Sequence, residues 1–260
     1  MLTSNQNPKI RRVRELLARR SERDSTGTFV VEGVRLVEEA FSSNWPVEMV
    51  LFSGQLSIRG QEALNSISQK GADVEEIAPH LMDSLTDTET SQGILAVIRR
   101  IELPLSPGAD FLAIADAIRD PGNLGTLIRT CAAAGVDGLF LTPGSVDPFA
   151  PKVLRAGMGA QFRLPIYQAG WAEIVDRLHN RPNPVRILLS DVENGLSIWQ
   201  SDLRGPLALV IGSEAEGAGP EARNYADDRI HIPMPGRSES LNAAIAAGIM
   251  IFEVVRQRNL

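Results

Sequence analysis

The chain has 260 residues, of which 43% are hydrophobic and 22% are charged, and its formal net charge is −6. This length holds one large domain or two ordinary ones with sizeable cores. One cysteine excludes a disulfide framework and is typical of a reducing compartment, so we expect a cytoplasmic protein. The polar first residues lack the apolar core of a signal peptide. The longest apolar stretch, 241–255, is too short to span a bilayer, so we expect no membrane segment.

The first 23 residues are basic although the whole chain is acidic. They contain seven Lys and Arg residues against two Glu residues, a local charge of +5. Apolar residues recur at helical spacing between Asn7 and Arg23, which predicts one amphipathic helix over 7–23. The charges then have two explanations, a solvated helix face or a surface that contacts phosphates.

Strand and helix patterns alternate along the rest of the chain in two series. The first series predicts strands at 28–31, 47–52, 73–77 and 94–99 and helices at 33–41, 58–70 and 79–85. A connector rich in Pro and Gly follows at 103–108. The second series predicts strands near 111–118, 138–142, 164–167, 186–191, 207–211 and 229–232. This alternation predicts an α/β fold with two domains, residues 1–103 and 104–260.

Three short segments of glycine and polar residues follow predicted strands of the second series. They read DPGNLG at 120–125, GSEAEG at 212–217 and IPMPG at 232–236, the last followed by SLN at 240–242. A helical pattern follows each of them. Because ligands bind beyond the carboxyl ends of the strands in an open α/β sheet, the three segments should converge on one site. An enzyme is therefore the leading hypothesis.

The residue types in these segments exclude several cofactors. The spacing from Gly212 to Gly219 is that of a phosphate loop, but Ala218 and Gly219 stand where Lys and Ser or Thr are needed. Glu214 and Glu216 would repel phosphates. The glycine fingerprint of a dinucleotide site is absent, and the three histidines and one cysteine lack metal-ligand spacing, so we expect no metal. A nucleoside without a polyphosphate, held by backbone groups, fits better than NAD or ATP.

The three segments, in this order and at these positions after the strands, resemble the three motifs of the SpoU/TrmH family of SPOUT methyltransferases. The resemblance covers residues 110–258, with Ala215 where the family usually has Gly and Ala243-Ala244 in place of a more usual Val-Ser. Enzymes of this family transfer a methyl group from S-adenosylmethionine to a ribose 2′-hydroxyl of RNA. The resemblance implies that cofactor and a deep trefoil knot in the C-terminal domain. It also implies a homodimer whose active site is completed across the interface.

A set of site residues follows from the same resemblance. The implied catalytic residues are Asn123, Arg129, Glu214, Ser240 and Asn242, and the implied cofactor contacts are Gly212, Ile232, Met234 and Leu241. Arg129 has apolar neighbours, so we expect a largely buried helix in which this arginine needs a partner. It either removes the proton of the ribose hydroxyl or stabilises the developing alkoxide and clamps a phosphate.

Some of these residues also have a structural explanation. Asn123 is suited to cap the helix that begins near it, and Ser240 is suited to cap the last helix, with Asn242 in its first turn. Cys131 supports a different mechanism, a cysteine nucleophile of the kind used by enzymes that methylate RNA bases. A lone cysteine in an apolar helix is more often a small buried hydrophobic residue.

The N-terminal domain resembles a small α/β domain that many SpoU-type rRNA methyltransferases carry, related to ribosomal proteins that bind kinked RNA. Glu32-Gly33 after the first strand and Gln92-Gly93 before the last one carry this resemblance. It implies an RNA partner, so we interpret the basic segment as an RNA-binding surface. The residues predicted to contact RNA are Arg11, Arg12, Arg19 and Arg20. Large-subunit (23S-type) rRNA is the favoured substrate; a tRNA substrate and a non-catalytic RNA-binding role are the alternatives.

Overall fold

The computed structural model describes the chain except for residues 55, 87–90, 193, 214–216, 237–239 and 260. Its contacts divide the chain into two compact units, Met1–Ile101 with Phe149–Phe162 and Glu102–Pro148 with Arg163–Leu260. The segment 149–162 therefore packs within the first unit, although it follows the connector that is rich in Pro and Gly. The predicted domain limits, 1–103 and 104–260, stay a prediction.

Helices and strands alternate through the described residues, which confirms the predicted α/β fold class. The α-helices are α1 (Pro8–Ala18), α2 (Arg20–Thr26), α3 (Val34–Ser42), α4 (Ile58–Gln69), α5 (Pro79–Leu85), α6 (Pro121–Ala134), α7 (Pro151–Gly157), α8 (Trp171–His179), α9 (Pro220–Tyr225) and α10 (Ala243–Arg258). The strands are β1 (Thr28–Glu32), β2 (Val47–Phe52), β3 (Asp73–Glu76), β4 (Ile94–Arg99), β5 (Phe111–Ala115), β6 (Gly138–Leu141), β7 (Ile166–Gln168), β8 (Arg186–Asp191), β9 (Leu196–Ser197), β10 (Leu207–Ile211) and β11 (Asp228–His231). The short strand β9 was not predicted, because two residues carry no periodicity.

The first unit is built on a four-stranded sheet with the order β1-β4-β2-β3. Strand β4 pairs antiparallel with both β1 and β2, and β3 lies parallel to β2. Helix α1 covers one face of this sheet, because Ile10, Val13 and Leu16 are fully buried against a cluster that includes Val30 and Leu51. The apolar face predicted from the sequence is therefore the face that packs.

The basic segment forms two helices rather than the single predicted helix. Arg19 adopts an extended conformation, with φ −120° and ψ 122°, and separates α1 from α2. The buried side chain of Arg23 folds back and donates from Nη1 to Leu16 O at 2.6 Å and Leu17 O at 3.4 Å. The last carbonyl groups of a helix have no partner within it, so this charged donor stabilises the end of α1 and the break after it.

Aromatic contacts hold the segment 149–162 within the first unit. The ring of Phe149 lies 4.7 Å from that of Phe29, and the ring of Trp45 lies 5.3 Å from that of Phe162 in an edge-to-face arrangement. Trp45 Nε1 also donates to Phe162 O at 3.1 Å. Such aromatic pairs contribute stability beyond the area that they bury.

The second unit is built on a seven-stranded sheet with the order β7-β6-β5-β10-β8-β11-β9. All of its strand pairs are parallel, so their carboxyl ends lie at one edge. The central strands β5 and β10 are buried along their whole length, and α10 packs against α6 and β10. The trefoil knot stays a prediction. Among the described residues, no helix is long and apolar enough to cross a membrane.

Candidate active site

A cavity of about 310 Å³ opens at the carboxyl edge of the parallel sheet. Its walls come from the ends of β8, β10 and β11, which are neighbours in the sheet order β10-β8-β11, and from α9 and α10. The lining residues are Ser190, Asp191, Val192, Ile211, Gly212, Ser213, Gly217, Ala218, Arg223, Ile232, Met234, Ser240, Leu241, Ala243, Ala246 and Met250. All four predicted cofactor contacts are among them, and so is the predicted catalytic residue Ser240.

The loop after β10 folds back on itself and forms one wall of this cavity. Ser213 and Gly217 exchange two backbone hydrogen bonds, each 3.0 Å long. A Cβ atom on Gly212 would overlap the backbone of Gly217 and Ala218, so this position requires glycine. The predicted catalytic residue Glu214 belongs to the same loop and lies outside the described residues.

The start of α10 is fixed by Asn242, which is its N-cap. Asn242 Oδ1 accepts hydrogen bonds from the backbone N–H groups of Ala244, at 3.0 Å, and Ile245, at 3.3 Å. Its Nδ2 donates to Asn123 Oδ1 at 3.0 Å, which joins the first turn of α6 to the start of α10. The prediction that Ser240 caps this helix is therefore wrong, because the helix begins two residues later than expected.

Helix α6 begins at Pro121 and has Asp120 as its N-cap. Asp120 Oδ1 accepts a hydrogen bond from Asn123 N at 2.8 Å, so Asn123 lies in the first turn rather than at the cap where it was predicted. This placement leaves the Asn123 side-chain oxygen available to accept a hydrogen bond from Asn242. Two predicted catalytic residues, far apart in the sequence, are thus brought into contact.

Arg129 is exposed on α6, so the expectation that it lies in a largely buried helix and therefore needs a partner is wrong. The helix buries Leu127, Ile128 and Cys131, and Arg129 points away from that face because successive helical residues are rotated by about 100°. The Arg129 guanidinium forms no hydrogen bond or ion pair with another described residue. Burial raises the pKa of the Cys131 thiol to about 12. The thiol therefore stays protonated at neutral pH, which argues against a cysteine nucleophile.

Two family profiles match the chain. Residues 110–252 match the SpoU rRNA Methylase family. The chain belongs to that family. Residues 7–96 match the family described as MRM3-like substrate binding domain, which covers most of the first unit. Both resemblances found in the sequence are confirmed.

Named relatives of this SpoU family protein act on ribosomal RNA. The 23S rRNA (guanosine(2553)-2'-O)-methyltransferase RlmP of Bacillus subtilis is 32% identical over 253 residues, which cover 97% of this chain and 98% of that protein. The 23S rRNA (uridine(2479)-2'-O)-methyltransferase of Streptomyces viridochromogenes is 31% identical over 268 residues, with coverage of 98% and 92%. The crystal structure of the SpoU methyltransferase AviRb from Streptomyces viridochromogenes, in complex with the cofactor AdoMet, matches with a TM-score of 0.91 at 30% identity. That match covers 98% of this chain and 99% of the other.

The cavity of this SpoU family protein has the size and chemistry of a site for a nucleoside cofactor. Its volume lies at the lower end of the range for small-molecule sites, which are mostly apolar with a few placed polar groups. Ile211, Ile232 and Met250 supply apolar walls, while Asp191 and the folded-back backbone after β10 supply polar groups. No group of three or more His, Cys, Asp or Glu side chains suited to a metal ion occurs among the described residues.

The four arginines predicted to contact RNA fall into two pairs in the first unit. Arg12 Nη2 donates to Glu48 Oε2 at 2.7 Å, and Arg20 forms an ion pair of 3.3 Å with Asp24. Burial alone would raise the pKa of Glu48, but the hydrogen bonds from Arg12 and Arg99 lower it below its usual value. Arg11 and Arg19 are exposed, and neither side chain has a hydrogen bond or ion pair to another described residue.

Two acidic residues at the strand ends were not predicted from the sequence. Asp191 ends β8 and lines the cavity, and Asp116 directly follows β5 and is buried. A signal for Asp116 was present, since it is an acidic residue within the apolar run 111–118. A buried carboxylate needs hydrogen-bond donors, so its presence in that run indicates a fixed polar network.

Proposed function

We propose that this protein transfers the methyl group of S-adenosylmethionine to a ribose 2′-hydroxyl of large-subunit rRNA. The main support for this proposal is the cavity. Its lining brings together residues of two separate motif segments, namely Gly212, Ile232, Met234 and Leu241. Membership of the SpoU family and the names of the relatives support the reaction and the substrate class. A ribosomal substrate also supports the expected cytoplasmic location.

The cofactor site is built mainly from backbone and apolar side chains. When bound there, S-adenosylmethionine supplies an electrophilic methyl group. The loop after β10 and the residues Ile232 and Leu241 hold the nucleoside and keep water from it. Asn242 and Asn123 fix the starts of α10 and α6 relative to each other through their 3.0 Å hydrogen bond. The site therefore positions its ligand before RNA arrives, which lowers the entropic cost of the reaction.

Arg129 acts on the RNA in this proposal, as an electrostatic group rather than as a base. An exposed guanidinium stays charged at neutral pH and offers five N–H donors in a planar fork. It stabilises negative charge on the ribose oxygen as this oxygen attacks the methyl group and the hydroxyl proton passes to solvent water, and it binds the neighbouring phosphate. Its exposed position on α6 leaves the fork open to a large substrate.

Ile245 and Phe252 support the homodimer implied by the resemblance. They are seven residues apart on α10, so they lie on the same face, and they are 57% and 50% exposed. Large apolar side chains aligned along an exposed helix face are typical of an interface. We propose that this face of α10 packs against a second copy of the chain.

RNA binding by the first unit is tested through its salt dependence. We expect the double variant Arg11→Gln, Arg19→Gln to flatten the log–log dependence of affinity on salt by about 0.7–0.9 for each lost phosphate contact. The matched variant Arg12→Gln, Arg20→Gln removes the same charge from side chains that already pair with carboxylates. It should change the slope less. Equal slopes for wild type and the first variant would show that these arginines are only a solvated surface.

A methylation assay tests the reaction and the substrate together. Purified protein is incubated with methyl-labelled S-adenosylmethionine and either a 23S rRNA transcript or a tRNA pool lacking the modification. Labelled 2′-O-methyl nucleotides, which resist alkaline hydrolysis, should appear in the 23S transcript. Label in tRNA alone would favour the tRNA alternative. Absence of binding heat with S-adenosylmethionine in calorimetry would favour a non-catalytic RNA-binding protein.

A further inference from the structure

Asp116 is a buried carboxylate that has no role in the chemistry described so far. It follows the last residue of β5, is 5% exposed, and its backbone N–H donates to Ile211 O at 2.8 Å. No ion pair joins its carboxylate to a cation among the described residues. Such a group is stable in the interior only when neutral donors satisfy its oxygen atoms.

Three donors from three different elements meet this carboxylate. Oδ1 accepts from Thr142 Oγ1, at 3.0 Å, and from Trp171 Nε1, also at 3.0 Å. Oδ2 accepts from the backbone N–H of Gly219 at 2.7 Å. Oδ1 is therefore held by a residue that follows β6 and by the first residue of α8. Oδ2 holds the loop that follows β10.

Gly219 closes the loop that forms the cavity wall. The preceding residue, Ala218, lines the cavity, and its backbone lies directly against Gly212. The hydrogen bond at Gly219 therefore fixes the position of this wall of the cavity. Hydrogen bonds to an ionised acceptor are about twice as strong as those between neutral groups. A carboxylate is therefore suited to hold the loop through a single N–H group, that of Gly219.

The same network also fixes the turn that leads to the first motif segment. Thr142 Oγ1, which donates to Asp116, accepts a hydrogen bond from Ala117 N at 2.9 Å. Ala117 has φ +52°, a left-handed conformation that residues other than glycine rarely adopt. This turn precedes Asp120, the cap of the helix that carries Asn123 and Arg129.

We propose that Asp116 is a positioning residue for the methyl transfer, which couples the cofactor wall formed by Gly212, Gly217 and Ala218 to the turn at Ala117. This inference rests on the proposed function of the cavity. Through Gly219 the carboxylate sets the wall against which the cofactor is held. Through Thr142 it sets the entry to α6. Asp116 itself lines neither the cavity nor any substrate surface.

The test replaces Asp116 by a side chain of the same shape. In Asp116→Asn, one side-chain oxygen is replaced by an NH₂ group, which sets donor against donor either at Gly219 N–H or at Trp171 Nε1–H. We expect the dissociation constant for S-adenosylmethionine in calorimetry to rise at least tenfold. We also expect the amides of 217–219 to exchange with deuterium at least tenfold faster without cofactor. The KM for S-adenosylmethionine should rise more than the KM for RNA.

Trp171→Phe is the matched control, since it removes a donor to the same carboxylate, leaves the bond from Gly219 in place and keeps an aromatic ring beside Tyr225. It should lower the thermal stability, yet leave the dissociation constant within threefold and exchange at 217–219 unchanged. The proposal is overturned if both variants lose affinity in proportion to their loss of stability. It is also overturned if Asp116→Asn retains wild-type affinity and exchange.

Two more cases are covered, a variant that does not fold and a wild-type protein that does not bind the cofactor. If Asp116→Asn does not fold, Asp116→Ser replaces it, because the smaller hydroxyl also lacks the second acceptor oxygen, and the same losses are expected. If the wild-type protein gives no heat with S-adenosylmethionine, the proposed function fails. The exchange rates at 217–219 then still show whether Asp116 tethers the loop.

Discussion

Gly212→Ala is the substitution whose effect on the cofactor wall follows most directly from the structure. The added Cβ atom would overlap the backbone of Gly217 and Ala218, whereas Cβ atoms in proteins stay at least 3.0 Å from such atoms. The loop must therefore move by several tenths of an ångström. Because Ala218 lines the cavity, this movement changes the cavity itself.

The size of the effect follows from the cost of overpacking. Forcing an extra methyl group into a packed site costs about 1–3 kcal/mol. If the displaced loop must return to its original position when S-adenosylmethionine binds, the dissociation constant rises roughly 5- to 150-fold, since about 1.4 kcal/mol corresponds to a factor of ten. If the strain remains in both states, the melting temperature falls by a few degrees instead.

Calorimetry with S-adenosylmethionine and thermal unfolding together measure both effects. Gly236→Ala is the control, because this glycine belongs to the third motif segment and an added Cβ atom there meets no atom of the described residues within 4 Å. We expect the control to change neither quantity. A Gly212→Ala protein with wild-type affinity and wild-type melting temperature would refute the reasoning.

Three further variants test the remaining assignments. Arg129→Ala should lower kcat at least a hundredfold while the dissociation constant for S-adenosylmethionine stays within threefold, because the exposed guanidinium contacts the RNA rather than the cofactor. Near-normal turnover would contradict this role. Cys131→Ser should keep methyl transfer in a folded protein, since the buried thiol stays protonated; complete loss of turnover would revive the cysteine nucleophile. The double variant Ile245→Glu, Phe252→Glu should sediment as a monomer where the wild type sediments as a dimer; identical sedimentation would remove this face of α10 as the interface.

Much of the fold was predictable because the signals are local. Apolar runs and their spacing predicted every strand of both sheets except β9, and most helices, since periodicity reflects which side of an element is buried. The three motif segments were placed correctly at strand ends for the same reason. The second and third segments line one cavity, as the parallel arrangement of the strands implied. The first segment does not line it and joins the site through the hydrogen bond from Asn242 to Asn123.

Errors in the site prediction came from features that depend on exact boundaries and rotations. The caps of α6 and α10 are Asp120 and Asn242, a displacement of two or three residues that periodicity does not resolve. Arg129 lies among apolar neighbours in the sequence, yet a single step of about 100° around the helix takes it out of the buried face. Sequence neighbours are thus a poor guide to burial within a helix that has one packed side.

The sequence by itself determined the family, the α/β class, the order of most strands along the chain and the two motif segments that line the cavity, because each depends on short stretches of residues. Only the tertiary structure decided which distant groups meet. It packs Phe149 against Phe29, bonds Asn242 to Asn123 and brings Gly219 to Asp116. These contacts join residues about a hundred or more positions apart, and their partners are selected by the packing of the whole unit rather than by any local pattern.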